Sequence, residues 1–187
     1  MDLEDHEAAP SATHPRFDER VFAAEELRWL ARSRCADSLR WMLWSAKESA
    51  FKAAKKLDGQ TAFAPRAFVV RPESEDAGRV LFGDRVFAVR WTIDRSACHA
   101  VASAGLEPGA PIVSHIRRLA PEERSSSAVR RFAIAVLAPR IGVTAGDLEF
   151  VREGRVPRLR LRGAPLAVDV SLSHHGRYVA FAAARSP

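Results

Sequence analysis

The sequence predicts an α+β protein of two similar lobes, each with a long helix packed on a small, mainly antiparallel sheet. In each half of the 187-residue chain, a helical stretch is followed by several short strand-like segments. Segments 87–93 and 166–172, and again 99–102 and 178–181, align at one constant offset of 79 residues, which indicates an internal repeat. A stretch with two Gly and two Pro at 105–111 predicts the boundary between lobes of residues 1–110 and 111–187.

The first lobe is predicted to have one dominant helix at Ala36–Leu57, because this stretch contains no Gly or Pro before Asp58-Gly59 ends it. One side of this helix is apolar and predicts its buried face: Leu43, Ala46, Ala50, Ala54 and Leu57. The opposite side mixes aromatic and charged residues: Trp41, Trp44, Glu48, Lys52 and Lys55. A shorter helix is predicted from about residue 23, and strands are predicted at 67–70, 80–82, 86–93 and 99–104.

The second lobe is predicted to repeat this order. A short linking strand at 112–116 leads into a helix from residue 121 to about 141, which we expect to bend near Pro139. Strands are predicted at 147–151, 158–161, 166–172 and 178–184.

The composition of the chain predicts its solubility, the redox state of its cysteines and the charge of its partner. A hydrophobic content of 47% and a charged content of 28%, without any apolar run of about 18 residues, predict a soluble protein with no membrane span. Cys35 and Cys98 have no metal-site spacing and are expected to be reduced in a cytoplasmic protein. The net charge of +6 favours an anionic partner: nucleic acid, an acidic protein or a phosphorylated cofactor.

The most informative stretch is Trp-Ser-Ala-Lys-Glu-Ser-Ala-Phe-Lys at 44–52. Glu48 and Lys52 are neighbours on the helix surface, and an exposed pair of this kind contributes only about 0.2–0.5 kcal/mol. Interleaved Trp residues suit a metal-bound, phosphate-bearing ligand better than a solvated face. The stretch resembles the Trp-(Ser/Thr)-x-Lys-Glu-(Ala/Ser)-x-x-Lys signature of 4′-phosphopantetheinyl transferases.

Further segments resemble the same family. Asp2-Leu3-Glu4 is similar to the Gly-x-Asp-x-Glu strand of the surfactin-synthetase-type transferases, although an acidic chain end without function is the alternative. Phe22 with Glu26 matches a Phe-x-x-x-Glu segment of the family. The stretches 171–179 and 154–159 resemble its Ser-His and Gly-Lys-Pro segments, with one extra residue before the Pro in the latter.

The resemblance implies roles for particular residues. Asp2, Glu4 and Glu48 would bind Mg²⁺, and Glu48 would also be the general base. Lys52 would stabilise charge on the phosphates. Lys47 would contact phosphate or simply pack, and Trp44 would border the pantetheine or serve as a core anchor. Contacts to the nucleotide phosphates of coenzyme A are implied for Ser173, His174 and either Arg155 or Arg158, and Arg130 or Arg131 fits a basic helix position in this half.

The reaction implied is transfer of 4′-phosphopantetheine from coenzyme A to a serine of an acidic acyl or peptidyl carrier protein of fatty acid, polyketide or peptide synthesis. The order of the motifs implies a monomeric pseudo-dimer with one complete site between its lobes, and a trimer is the alternative. A degenerate homologue that binds coenzyme A without catalysis is a second interpretation. A basic nucleic-acid-binding protein is a third, although no helix-turn-helix, zinc spacing or aromatic RNA-binding strand pair is found.

Overall fold

The computed structural model describes residues 16–93, 96–104, 111–154 and 156–185, and the backbone of residues 2–5. The chain forms two compact units, Met1–Gly105 and Leu106–Pro187. Each unit has a five-stranded antiparallel sheet with helical structure packed against it, so the predicted α+β class is confirmed. The predicted division after residue 110 stays a prediction, because residues 105–110 lie outside the described ranges.

Over its described residues, the first unit contains one strand, three helices and then a four-stranded meander. In chain order these are β1 (Asp2–Asp5), α1 (Phe17–Val21), α2 (Ala24–Arg32), α3 (Ala36–Leu57), β2 (Val69–Pro72), β3 (Ala77–Phe82), β4 (Arg85–Ile93) and β5 (Ala97–Ser103), with a 3₁₀ turn at Pro65–Ala67. The spatial order is β1-β5-β4-β3-β2, so the first strand pairs with the last.

The second unit repeats this topology with one long helix. Its elements are β6 (Val113–Arg118), α4 (Ser125–Arg140), β7 (Leu148–Glu153), β8 (Val156–Leu161), β9 (Ala164–His175) and β10 (Tyr178–Arg185), with a 3₁₀ turn at Ala145–Asp147. The spatial order is β6-β10-β9-β8-β7, which matches that of the first sheet strand for strand.

The constant offset of 79 residues is nevertheless wrong at the level of strand register. Thr92 pairs with His99 in the first sheet, whereas its offset partner Ser171 pairs with Ala182 instead of Tyr178. The difference arises because β9 continues to His175 and turns back through Gly176 and Arg177, whereas β4 ends at Ile93. The repeat therefore holds for the order of strands but not residue by residue.

Helix α3 forms the core of the first unit. Leu43, Ala46, Ala50 and Ala54 are fully buried against the sheet, as their spacing predicts, whereas Leu57 in the last turn is 59% exposed and is not part of the core. The small alanine side chains let the helix lie close to strand residues such as Phe87 and Val89. The buried Trp91 of β4 also donates its indole N–H to the carbonyl of Met42, 3.0 Å away, which ties the sheet to the helix.

Helix α4 covers one face of the second sheet in the same way. Ala133 and Leu137 of the helix are buried with Leu148, Leu159, Val170 and Phe181 from four successive strands. Because strand side chains alternate between faces, even-numbered residues of β7 and β9 and odd-numbered residues of β8 lie on the α4 side. The helix includes Pro139 and ends one residue later at Arg140.

Candidate active site

The orientation of α3 is set by two buried serines that contact β5. The hydroxyl of Ser45 lies 3.4 Å from the thiol of Cys98, and the hydroxyl of Ser49 accepts the backbone N–H of Ala102 at 2.7 Å. Glu48 follows Ser45 by three positions, so it lies on the neighbouring flank of the helix, and it is half-buried. Lys52 follows Ser49 by three positions on the same flank and is also half-buried.

Strand β1 pairs with residues 97–100 of β5, a segment that includes Cys98, the contact of Ser45. Asp2 is paired with Ala100 and Glu4 with Cys98 in an antiparallel register, and α3 packs against both strands. The fold therefore brings the backbone of the Asp2 and Glu4 strand beside the helical turn that carries Glu48. The predicted metal contacts of the Asp2 and Glu4 side chains lie outside the described residues.

Of the two roles predicted for Lys47, contact with the cofactor phosphate or packing, the structure supports packing and not the cofactor contact. Its side chain is fully buried, and its ammonium nitrogen lies 2.7 Å from Oε2 of the equally buried Glu26. The ammonium also donates to the carbonyl oxygens of Pro65, at 3.2 Å, and Phe68. Desolvation lowers the pKa of Lys47, while the Glu26 carboxylate acts in the opposite direction. Lys47 is thus a structural residue that joins α3 to α2 and to the entry of β2.

Glu26 explains the Phe-x-x-x-Glu segment in physical terms. Besides binding Lys47, its carboxylate accepts the backbone N–H of Ala23 at 2.7 Å, which caps α2, and that of Val70 at 2.8 Å. The buried Phe22 ring lies 5.8 Å from the Lys47 ammonium. The segment therefore fixes the position of α3, the helix of Lys47 and Glu48, relative to α2 and β2.

Trp44 belongs to an aromatic cluster that packs against the core of the first unit. Its ring centroid lies 5.3 Å from that of Phe17 and 5.6 Å from that of Phe63, which in turn stacks on Phe51 at 4.6 Å. These contacts are enough to explain the residue as a packing anchor. Its predicted contact with pantetheine stays a prediction.

A second group of predicted residues lies in the second unit, where an open pocket of about 180 Å³ is found at the N-terminal end of α4. Its lining combines two arginines and a histidine with smaller side chains: Ser126, Val129, Arg130, Arg152, Pro157, Leu172 and His174. The N-terminal end of a helix favours an anion, and so do the two guanidinium groups.

Strand alternation decides which predicted residues reach this pocket. His174 follows Leu172 on the α4 side of β9, whereas Ser173 points to the other face and is only 5% exposed. Arg158 lies on the far face of β8, where its Nε is 3.2 Å from the carboxylate of Glu153. The structure thus brings His174 to the pocket but neither Ser173 nor Arg158, and Arg155 lies outside the described residues.

Arg152 is a pocket residue that sequence reasoning missed. It occupies the position after Leu148 and Phe150 on the core-facing side of β7, and this period-two pattern was the signal that could have found it. Of the two arginines predicted for the basic helix position, Arg130 lines the pocket, whereas Arg131 binds Glu123 with a nitrogen–oxygen distance of 3.3 Å.

The residues whose side chains are described contain no group of three or more His, Cys, Asp or Glu that could hold a metal ion. Within the described part of the chain, no helix is long and apolar enough to cross a membrane.

Comparison with known proteins identifies a family that the first unit matches. A search of curated proteins returned no match. The profile of the 4′-phosphopantetheinyl transferase superfamily matches residues 1–104, which is more than half of the chain and includes β1, α3 and β5. The chain therefore belongs to the 4′-phosphopantetheinyl transferase superfamily.

Proposed function

We propose that this protein transfers the 4′-phosphopantetheine arm of coenzyme A to a serine of an acyl or peptidyl carrier protein. The observation that carries the proposal is the family match over the first unit, which contains the Glu48–Lys52 helix with the strand of Asp2 and Glu4 beside it. The pocket with Arg130, Arg152 and His174 supports it, because coenzyme A carries several phosphate charges.

In the proposed reaction, Glu48 accepts the proton of the carrier serine, directly or through a water molecule. The serine oxygen then bonds to the phosphorus of the pantetheine phosphate, and the bond from that phosphorus to the bridging oxygen breaks. Adenosine 3′,5′-bisphosphate leaves with the electron pair of that bond. Lys52, one turn after Glu48, stabilises the negative charge on the phosphate oxygens as a point cation.

The donor chemistry of the first unit fits magnesium. Asp2 and Glu4 on β1 and Glu48 on α3 would supply the hard carboxylate oxygens that this ion prefers. When bound, the ion would neutralise charge on the pyrophosphate of coenzyme A. Glu48 would then serve both the ion and the incoming serine.

The carrier protein is proposed to be acidic because the chain is basic. The first unit has sixteen Lys and Arg residues against sixteen Asp and Glu, so the thirteen arginines and seven carboxylates of the second unit account for the whole net charge of +6. Such a charge accelerates encounter with a negatively charged partner. We also propose that the enzyme is monomeric and cytoplasmic. The cytoplasmic location is supported by Cys35 and Cys98, which both lie within the described residues and are free thiols.

The test is mass spectrometry of an apo acyl carrier protein after incubation with this protein, coenzyme A and magnesium. The proposal is supported if the carrier protein gains the mass of one phosphopantetheine arm, and if no gain is seen in a parallel incubation that contains a chelator from the start. Coenzyme A binding without a mass gain across several carrier types would identify a degenerate homologue instead. Salt-sensitive binding to DNA with neither result would favour a nucleic-acid-binding protein.

A further inference from the structure

The two arginines of the pocket differ from many others in the second unit. Four arginines of this unit each bind a carboxylate: Arg117, Arg131, Arg158 and Arg162. Within the described part of the chain, neither Arg130 nor Arg152 forms an ion pair. Two guanidinium groups without carboxylate partners therefore line one small pocket, together with the exposed ring of His174.

This arrangement suits one chemical group better than the others of coenzyme A. A phosphate monoester has three terminal oxygens and carries a charge of about −1.5 to −2 at neutral pH. Two planar guanidinium groups can each bind such oxygens with two parallel hydrogen bonds. The pyrophosphate of coenzyme A has only one formal charge on each phosphorus, whereas its 3′-phosphate is a monoester.

We propose that Arg152 binds the 3′-phosphate of coenzyme A, and that it determines the preference for coenzyme A over 3′-dephospho-coenzyme A. This inference rests on the proposed function of the chain. The inference assigns the phosphate contact made by the β7–β8 hairpin to Arg152, which lies outside the predicted Gly-Arg-x-Pro segment at 154–157 and the Ser-His segment at 173–174. Arg158 of the same hairpin does not fill this role, because it lies on the opposite face and binds Glu153.

The test compares Arg152→Gln with Arg158→Gln. Both residues are exposed on strands of one hairpin, and both substitutions remove one positive charge, so their long-range electrostatic effects are matched. Binding of coenzyme A and of 3′-dephospho-coenzyme A is measured by isothermal titration calorimetry for the wild type and both variants. Thermal unfolding of each variant checks that the second unit is intact.

We expect Arg152→Gln to weaken coenzyme A binding roughly 10- to 100-fold, as for a lost charge-assisted hydrogen bond, and to change 3′-dephospho-coenzyme A binding less than about twofold. Arg158→Gln is expected to change neither affinity by more than about twofold. Equal losses for both ligands, no loss for either, or a wild type that binds both ligands equally would overturn the inference and leave the proposed function standing. A wild type that binds neither ligand would overturn both.

Discussion

Removing the Glu26 carboxylate should destabilise the first unit far more than removing its neighbour on α2. In Glu26→Ala, the Lys47 ammonium would stay fully buried with only two carbonyl oxygens as partners. The backbone N–H groups of Ala23 and Val70 would lose their acceptor as well. Breaking a buried ion pair by removing one partner costs about 3–5 kcal/mol.

Glu25→Ala is the matched control. Glu25 is the preceding residue of α2, and it also binds one cation, Arg71, but its side chain is 39% exposed and that of Arg71 is 41% exposed. Pairs of this kind contribute about 0–1 kcal/mol. The two variants therefore make the same chemical change at adjacent positions, and they differ in the burial of the pair and in the two backbone N–H groups that Glu26 accepts.

The free energy of unfolding is measured by urea titration followed by circular dichroism at 222 nm. For a chain of this length, 1 kcal/mol corresponds to about 2–4 °C, so Glu26→Ala should also lower the melting temperature by roughly 6–20 °C. A Glu26→Ala variant whose unfolding free energy lies within about 1 kcal/mol of that of Glu25→Ala would refute the buried-pair reasoning. The double variant Glu26→Leu with Lys47→Met should recover the part of the loss that comes from the unpaired ammonium, because apolar replacement of a buried pair is often close to neutral, whereas the N–H groups of Ala23 and Val70 stay without this acceptor.

Three further outcomes are expected. Glu48→Gln keeps the shape of the side chain but loses its basicity, so carrier modification followed by mass spectrometry should slow by roughly 10²- to 10⁴-fold with unchanged circular dichroism; near-normal turnover would remove Glu48 from the mechanism. His174→Ala should weaken coenzyme A binding about five- to tenfold while turnover at saturation changes less, and unchanged affinity would contradict the assignment. Hydrogen bonds from Arg117 and the backbone of Ala120 lower the pKa of Glu123 from 4.5 to about 2, so its stabilising effect is complete above pH 4.5 and is lost as the pH falls to about 2. The stability difference between wild type and Glu123→Gln should follow that course, and a difference independent of pH would refute it.

Local signals account for the parts of the fold that were predicted well. The bounds of α3 were predicted to the residue, because Ala36–Leu57 has no helix breaker and Asp58-Gly59 follows at once. Helix α1, at five residues, is too short for a 3.6-residue period to appear in the sequence. The start of β8 was predicted two residues late because Pro157 normally argues against a strand interior.

The candidate site shows where local signals fail. Lys47 was expected either to contact phosphate or to pack, and the sequence did not decide between these roles, although Lys47 shares a face with the buried Leu43, Ala50 and Ala54. Its burial depends on Glu26, a partner 21 positions earlier in the chain, and no periodic pattern reports such a pairing. Likewise, the dipeptide Ser173-His174 suggests a joint site, whereas strand geometry sends the two side chains to opposite faces.

The distribution of tryptophan gives the first unit an optical probe of its own. All four tryptophans, at 29, 41, 44 and 91, belong to the first unit, and the single tyrosine, Tyr178, belongs to the second. Tryptophan emission excited at 295 nm therefore follows only the first unit, in which Trp44 is a residue of α3 and Trp91 donates its indole N–H to the carbonyl of Met42 in the same helix. Circular dichroism sums over both units. A urea midpoint that differs between the two signals would mean that the repeats unfold one at a time, and a shared midpoint would mean that they unfold as one cooperative structure.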